Sequence, residues 1–127
     1  MRLERLRTLP TRGVSLDTET WALEYGVPVP KLVLGSAGWL EGGSVVGVLL
    51  DKDAVLELFA RIADDPDAVL VGANLTQFDL LVIATEFASR GIDAMPWIFE
   101  LLASGRVLDI FTVERLNAIA HGFLNKD

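Results

Sequence analysis

Residues 68–80 read Ala-Val-Leu-Val-Gly-Ala-Asn-Leu-Thr-Gln-Phe-Asp-Leu. The first five form a short, unbroken apolar run, the pattern of a strand buried on both faces in a parallel sheet. The run ends at Gly72 and is followed by Asn74 and then helical spacing. Residues 76–90 are apolar nearly all round, with Leu80, Leu81, Val82, Ile83 and Phe87, so this helix is expected to be deeply buried. A buried strand feeding a buried helix predicts α/β architecture. Working upstream, Asp64-Asp65-Pro66-Asp67 breaks the chain, and Val55, Leu58, Phe59 and Ile62 before it fall at helical spacing, with Asp53 as the expected N-cap. Residues 31–40 and 44–50 are β-rich and flank Glu41-Gly42-Gly43, a hairpin signal. Pro28 and Pro30 mark an irregular approach to the first of them. Residues 13–20 (GVSLDTET) alternate Val14 and Leu16 with polar residues and read as a strand. Downstream, Gly91 ends the buried helix. Residues 96–104 form a short helix stopped by Gly105, residues 106–110 a strand, and residues 112–120 a helix with Val113, Leu116 and Ala120 on one face and Gly122 as its stop. The predicted order is β-β-β-α-β-α and then further helix: a mixed sheet flanked by helices, with the strand after the first helix lying beside the first strand.

The chain has 127 residues, the size of one domain, and is 51% apolar, which excludes disorder over its bulk. No apolar run approaches the ~20 residues needed to span a bilayer, so no membrane partner is expected. The N-terminus, MRLERLRTLPTRG, lacks the apolar core of a secretory signal. Residues 1–12 read as a solvated, arginine-bearing arm. With no cysteine and one histidine, disulfides, thiolate zinc sites and histidine-rich metal sites are excluded, and a reducing, cytoplasmic setting fits. The net charge of −7 is the wrong sign for a surface that tracks phosphates without regard to sequence. It suits a protein that holds divalent cations in carboxylates, as it suits many ordinary soluble domains.

Asp17 and Glu19 stand two apart in a strand and so share a face. Two neighbouring carboxylates repel, and a cation removes the conflict. Mg²⁺ takes oxygen ligands and binds well to one or two carboxylates plus substrate phosphate. With Thr18 and Thr20, the same residues would also make an ordinary polar strand edge. Asp79 lies at the start of the apolar helix, and two structural readings compete for its surroundings. Thr76 to Asp79 matches the capping-box spacing, and Asn74 could be only an N-cap. If the strands of residues 13–20 and 68–72 are neighbours, Asp17, Glu19 and Asp79 converge as acids do around two metals in phosphoryl hydrolysis.

Leu16-Asp17-Thr18-Glu19-Thr20 resembles the Asp-x-Glu first motif of the DEDD exonuclease superfamily, and Asn74-Leu75-Thr76-Gln77-Phe78-Asp79 resembles its second, Asn-x-x-x-Phe-Asp. Val29-Pro30-Lys31-Leu32-Val33, residues 96–99, Gly105-Arg106-Val107-Leu108-Asp109 and Arg115-Leu116-Asn117-Ala118-Ile119-Ala120 are similar to the proofreading domain of family A DNA polymerases, especially bacteriophage ones. The resemblance covers about residues 13–122. It implies an RNase H-like fold and 3′→5′ exonuclease activity on single-stranded DNA 3′ ends. It also implies Asp17, Glu19 and Asp79 as catalytic ligands of two Mg²⁺ or Mn²⁺ ions. Thr18, Thr20, Asn74 and Phe78 would contact the terminal nucleotide, and the setting would be the cytoplasm of a phage-infected bacterial host. Asp109 resembles a structural aspartate of the family.

There are departures from the family pattern. Ala73 stands where a His is frequent. The third motif, a Tyr or His followed by a fourth acid, lies beyond the segment matched, which makes residues 13–127 a partial exonuclease domain, C-terminally incomplete. His121 and Phe123 precede Asp127 by six and four residues and mimic that motif imperfectly; His121 otherwise reads as a helix-end residue favoured by the dipole. The missing elements would come from a polymerase or another chain. The competing expectation is an inactive or split fragment serving as an interaction module, and a third is an unrelated α/β domain with a coincidental Asp-x-Glu. An incomplete fold is expected to expose apolar surface and to dimerise or dissolve poorly.

Overall fold

A computed structural model describes residues 9–122. Strands β1 (Arg12–Thr20), β2 (Leu32–Glu41) and β3 (Ser44–Asp51) come first, then helix α1 (Lys52–Asp64) and strand β4 (Val69–Gly72). A wide turn (Leu75–Asp79) leads into α2 (Leu80–Ser89), α3 (Met95–Ala103), the short strand β5 (Val107–Asp109) and α4 (Ile110–Ala120). The fold is α/β. The five strands form one mixed sheet in the order β3-β2-β1-β4-β5, with β1–β2 and β2–β3 antiparallel and β1–β4 and β4–β5 parallel. β4 lies beside β1, as the order of elements predicted. Among the described residues no helix is long and apolar enough to cross a membrane.

Alternation along β1 sets the two faces of the sheet. Val14, Leu16 and Thr18 are buried, while Ser15, Asp17 and Glu19 are exposed. The buried face packs under α1, whose Val55, Leu58, Phe59 and Ile62 are fully buried. Phe59, Phe87 and Trp97 tie α1, α2 and α3 together through ring contacts at 6.1 and 5.3 Å. The opposite face is thinly covered. Leu40, Val45, Leu49 and Leu108 remain exposed there, and α4 touches β4 and β5 without burying a residue. On the apolar face expected on residues 112–120, Val113 and Leu116 therefore stay exposed, with none of the other described elements burying them.

Several boundaries differ from the sequence reading. The packed domain starts before residue 13: Leu9 is buried, the Val69 N–H donates to the Thr11 carbonyl, and Arg12 pairs with Asp65 and Asp67. Residues 1–8 of the expected arm, with Phe123 and Asp127, lie outside the described residues. The N-cap of α1 is Asp51, not Asp53. β3 runs straight into the helix, so its last residue accepts the Ala54 N–H at 2.8 Å. Asp53, already inside the helix, pairs with Arg90 instead, at 2.6 Å. The hairpin is as predicted: Glu41 pairs with Ser44, and Gly42 and Gly43 both take positive φ (57° and 83°), which this turn requires.

Candidate functional site

β1 outruns its parallel neighbour. The β1–β4 ladder ends at the pair of Ser15 with Val71, and β4 itself ends at Gly72. Beyond Ser15 that side of β1 has no strand to bond, and the turn after β4 fills the gap. The chain reverses at Asn74, whose φ of 61° is the only positive value at a non-glycine among the described residues, a conformation Asn tolerates better than most. The next five residues form a π-type turn closed by the Leu80 N–H on the Leu75 carbonyl. This turn delivers Asp79 to the bare edge of β1. Asp79 Oδ1 accepts the Thr18 N–H at 2.9 Å and the Thr18 hydroxyl at 2.5 Å. Both residues are buried.

A second aspartate holds the turn from the other side. Asp109, at the end of β5 opposite Gly72, accepts the Asn74 N–H at 2.9 Å and, through its other oxygen, the Thr76 N–H and hydroxyl, each at 3.1 Å. It also accepts the Phe111 N–H at 3.0 Å, capping α4. Both local readings of this segment are thereby corrected. The Thr76 hydroxyl serves Asp109 and the Asp79 carboxylate serves Thr18, so no capping box forms, and Asn74 makes no side-chain cap bond. Long-range partners outcompeted the local ones. The role of Asp109 is structural: it holds the turn and the start of α4.

These surroundings set the two carboxyls apart. Burial pushes Asp79 above the usual carboxylate range; the two Thr18 bonds pull against that, and the charge of Asp17 adds to it. Burial acts on Asp109 too, but there the backbone N–H groups of Thr76, Asn74 and Thr112 and the Thr76 hydroxyl prevail and hold it below the usual range.

Asp17 and Glu19 lie on the thinly covered face, opposite Ser36 and Leu34 of β2, before a register shift between Glu19 and Thr20. The structure thus joins the first and second motifs through Thr18, with Asp17 and Glu19 flanking the joint. It does not gather the three acids into one cluster: among the described residues no group of three or more His, Asp or Glu side chains stands close enough to hold a metal. The donors nevertheless suit a hard divalent cation. They are all oxygen, two share a face, and among the described residues the ion pairs of Arg12, Lys52, Arg90 and Arg106 leave Asp17 and Glu19 without a protein cation. Thr20, Asn74 and Phe78 are half-buried, and Phe78 packs against the core. The sequence reading passed over the exposed aromatics that follow Thr20. Trp21 lines a hollow of about 300 Å³ with Val27, Pro30 and Lys31, and Tyr25 stands fully exposed nearby in sequence. The signal was there: large apolar and aromatic residues in a segment that Gly26, Pro28 and Pro30 keep out of any strand or helix pattern. Comparison with known protein families, with curated proteins and with solved structures finds no match for this chain.

Proposed function

We propose that this chain is a 3′→5′ exonuclease domain of the proofreading type, with an RNase H-like fold, acting on the 3′ end of single-stranded DNA. The observation that carries this reading is the Thr18–Asp79 contact. The aspartate of an Asn-x-x-x-Phe-Asp segment is bonded to the central residue of an Asp-x-Glu segment 61 positions away. The β-β-β-α-β-α order, with β4 parallel to β1, supports the same reading.

In this reading Asp17, Glu19 and Asp79 hold Mg²⁺ or Mn²⁺. When bound, the cation supplies a lowered pKa for an attacking water and stabilises the leaving oxygen. Thr18 fixes the Asp79 carboxylate with two hydrogen bonds and so acts as a positioning residue. Asp109 holds the turn that presents Asp79. Thr20, Asn74 and Phe78 border the place where the terminal nucleotide sits. The test is cleavage of 3′-labelled single-stranded DNA with Mg²⁺ or Mn²⁺, with single-stranded RNA as a parallel substrate. Activity lost in Asp17→Ala is expected; no cleavage, with parent and variant alike, would refute an active enzyme.

One observation favours a second reading, a catalytically silent or split-polymerase module: the described residues assemble no cluster of three acids. Calorimetry with Mn²⁺ separates the two. No heat of binding at millimolar metal selects the silent module. Binding without cleavage, restored by adding a polymerase or the remainder of the domain, selects the split enzyme.

A further inference from the structure

The sheet has two edges of different character. β5 has three residues and is too short to template another strand. β3 has eight, runs opposite β2 without a register shift, and among the described residues has no strand on its outer side. Folded proteins normally blunt such an edge with Pro, Lys, a bulge or an inward charge. From Ser44 to Leu50, Ser-Val-Val-Gly-Val-Leu-Leu, β3 has none of these.

The hairpin fixes which groups point outward. The pair closing a two-residue turn, Glu41 with Ser44, exchanges both of its hydrogen bonds, and bonded and non-bonded pairs then alternate. Ser44, Val46, Val48 and Leu50 therefore bond to β2. The N–H and C=O groups of Val45, Gly47 and Leu49 face out from the edge.

The pattern is symmetric about Gly47. Val46 and Val48 flank it on one face, and Val45 and Leu49 lie two residues away on the other. Val45 and Leu49 are 80% and 73% exposed. A two-fold axis through Gly47, perpendicular to the sheet, would pair each strand antiparallel with its copy. Val45 would then oppose Leu49 of the second copy, twice, and Val46 would oppose Val48. Asp51 would meet Gly43, which carries no side chain, so no two carboxylates face each other across the strand pair. Shifting the axis to Val48 would set Val45 against Asp51, which the first register avoids. An unrelated peptide has no reason to match this symmetry.

We propose that β3 is a homodimer edge, joining two copies of the chain into one continuous antiparallel sheet centred on Gly47. The pairing is independent of the exonuclease reading. Because the chain carries a net charge of −7, association strengthens with added salt.

Sedimentation equilibrium and residue-resolved amide exchange of the full chain test this. Expected are a concentration-dependent mass rising to twice the monomer, and protection of the Val45, Gly47 and Leu49 amides that grows with concentration. The inward amides of Val46 and Val48 stay protected throughout. Gly47→Pro removes an outward N–H without touching the β2 ladder. The site has room, since a Cβ there would meet only the Ala37 carbonyl, at 3.6 Å. It and Val45→Lys each raise the dissociation constant roughly tenfold or more. Leu116→Lys, on the equally bare α4, leaves it unchanged. If Gly47→Pro fails to fold, the surface change Val45→Lys carries the test alone. A monomer at all concentrations overturns the proposal. So do outward amides that exchange freely, or a dimer broken by Leu116→Lys and kept by Val45→Lys.

Discussion

Replacing Thr18 with Val isolates the contact on which the functional reading rests. Valine has nearly the shape of threonine, so the packing of this 5%-exposed side chain is kept. What disappears is the hydroxyl donated to Asp79 Oδ1; the backbone bond at 2.9 Å remains. A hydrogen bond to a charged acceptor contributes about 1.5–3 kcal/mol. Asp79 is only 2% exposed, so water is poorly placed to replace the lost donor. The expected loss is about 2 kcal/mol, a fall of roughly 1 M in the urea midpoint with the slope unchanged. Thr18→Ser keeps the hydroxyl and gives up one buried methyl, a loss of about 1 kcal/mol. The ranking is therefore parent, then Ser, then Val, although Val is the closer match in shape. Equilibrium urea unfolding followed by tryptophan fluorescence measures it. A Val variant within about 0.5 kcal/mol of the parent, or one more stable than Ser, would refute the reasoning. In the exonuclease assay the same variant should lower turnover more than Ser does, since it loosens Asp79 and leaves Asp17 and Glu19 in place.

Other outcomes follow from neighbouring contacts. Asp109→Asn turns an N–H₂ toward the Thr76 N–H and leaves it without an acceptor, so unfolding free energy should drop by about 3 kcal/mol in the same urea assay. Because the folded-state carboxyl of Asp109 lies below its usual range, its contribution is complete above about pH 4 and fades as pH falls through the folded value. The stability gap between parent and Asp109→Asn should accordingly narrow on acidification, as read by thermal melts across that range. Gly35 faces Thr18 across the β1–β2 pair, and a Cβ there would sit 2.7 Å from Val55 Cγ2 and 3.1 Å from the Asp17 carbonyl. Gly35→Ala should therefore destabilise by about 1–3 kcal/mol, seen as a lowered melting temperature.

The strands, the hairpin and the helix stops were legible because each depends on neighbours in sequence: alternation in β1, Gly42-Gly43 between two β-rich runs, Gly91 and Gly105 after helical spacing. The unbroken apolar run of β4 announced a buried strand, and the order of elements set it beside β1. Capping was less legible. Asp51 and Asp53 both suit an N-cap, and what chose between them was β3 continuing without a loop into α1. The sequence suggested two local roles around Asp79, a capping box with Thr76 and an N-cap by Asn74, and neither formed. The partners that displaced them stand 61 and 33 positions away in the chain.

By itself, then, the sequence determined which residues are strand and helix and which acids lie together on one strand, because periodicity and turn chemistry act over a few residues. Only the tertiary structure decided where Asp79 points, what Asp109 holds, and which edge and face stay uncovered. Those depend on β4 ending short of β1 and on a turn that folds back to fill the gap, where a buried N–H must find an acceptor wherever the chain can supply one.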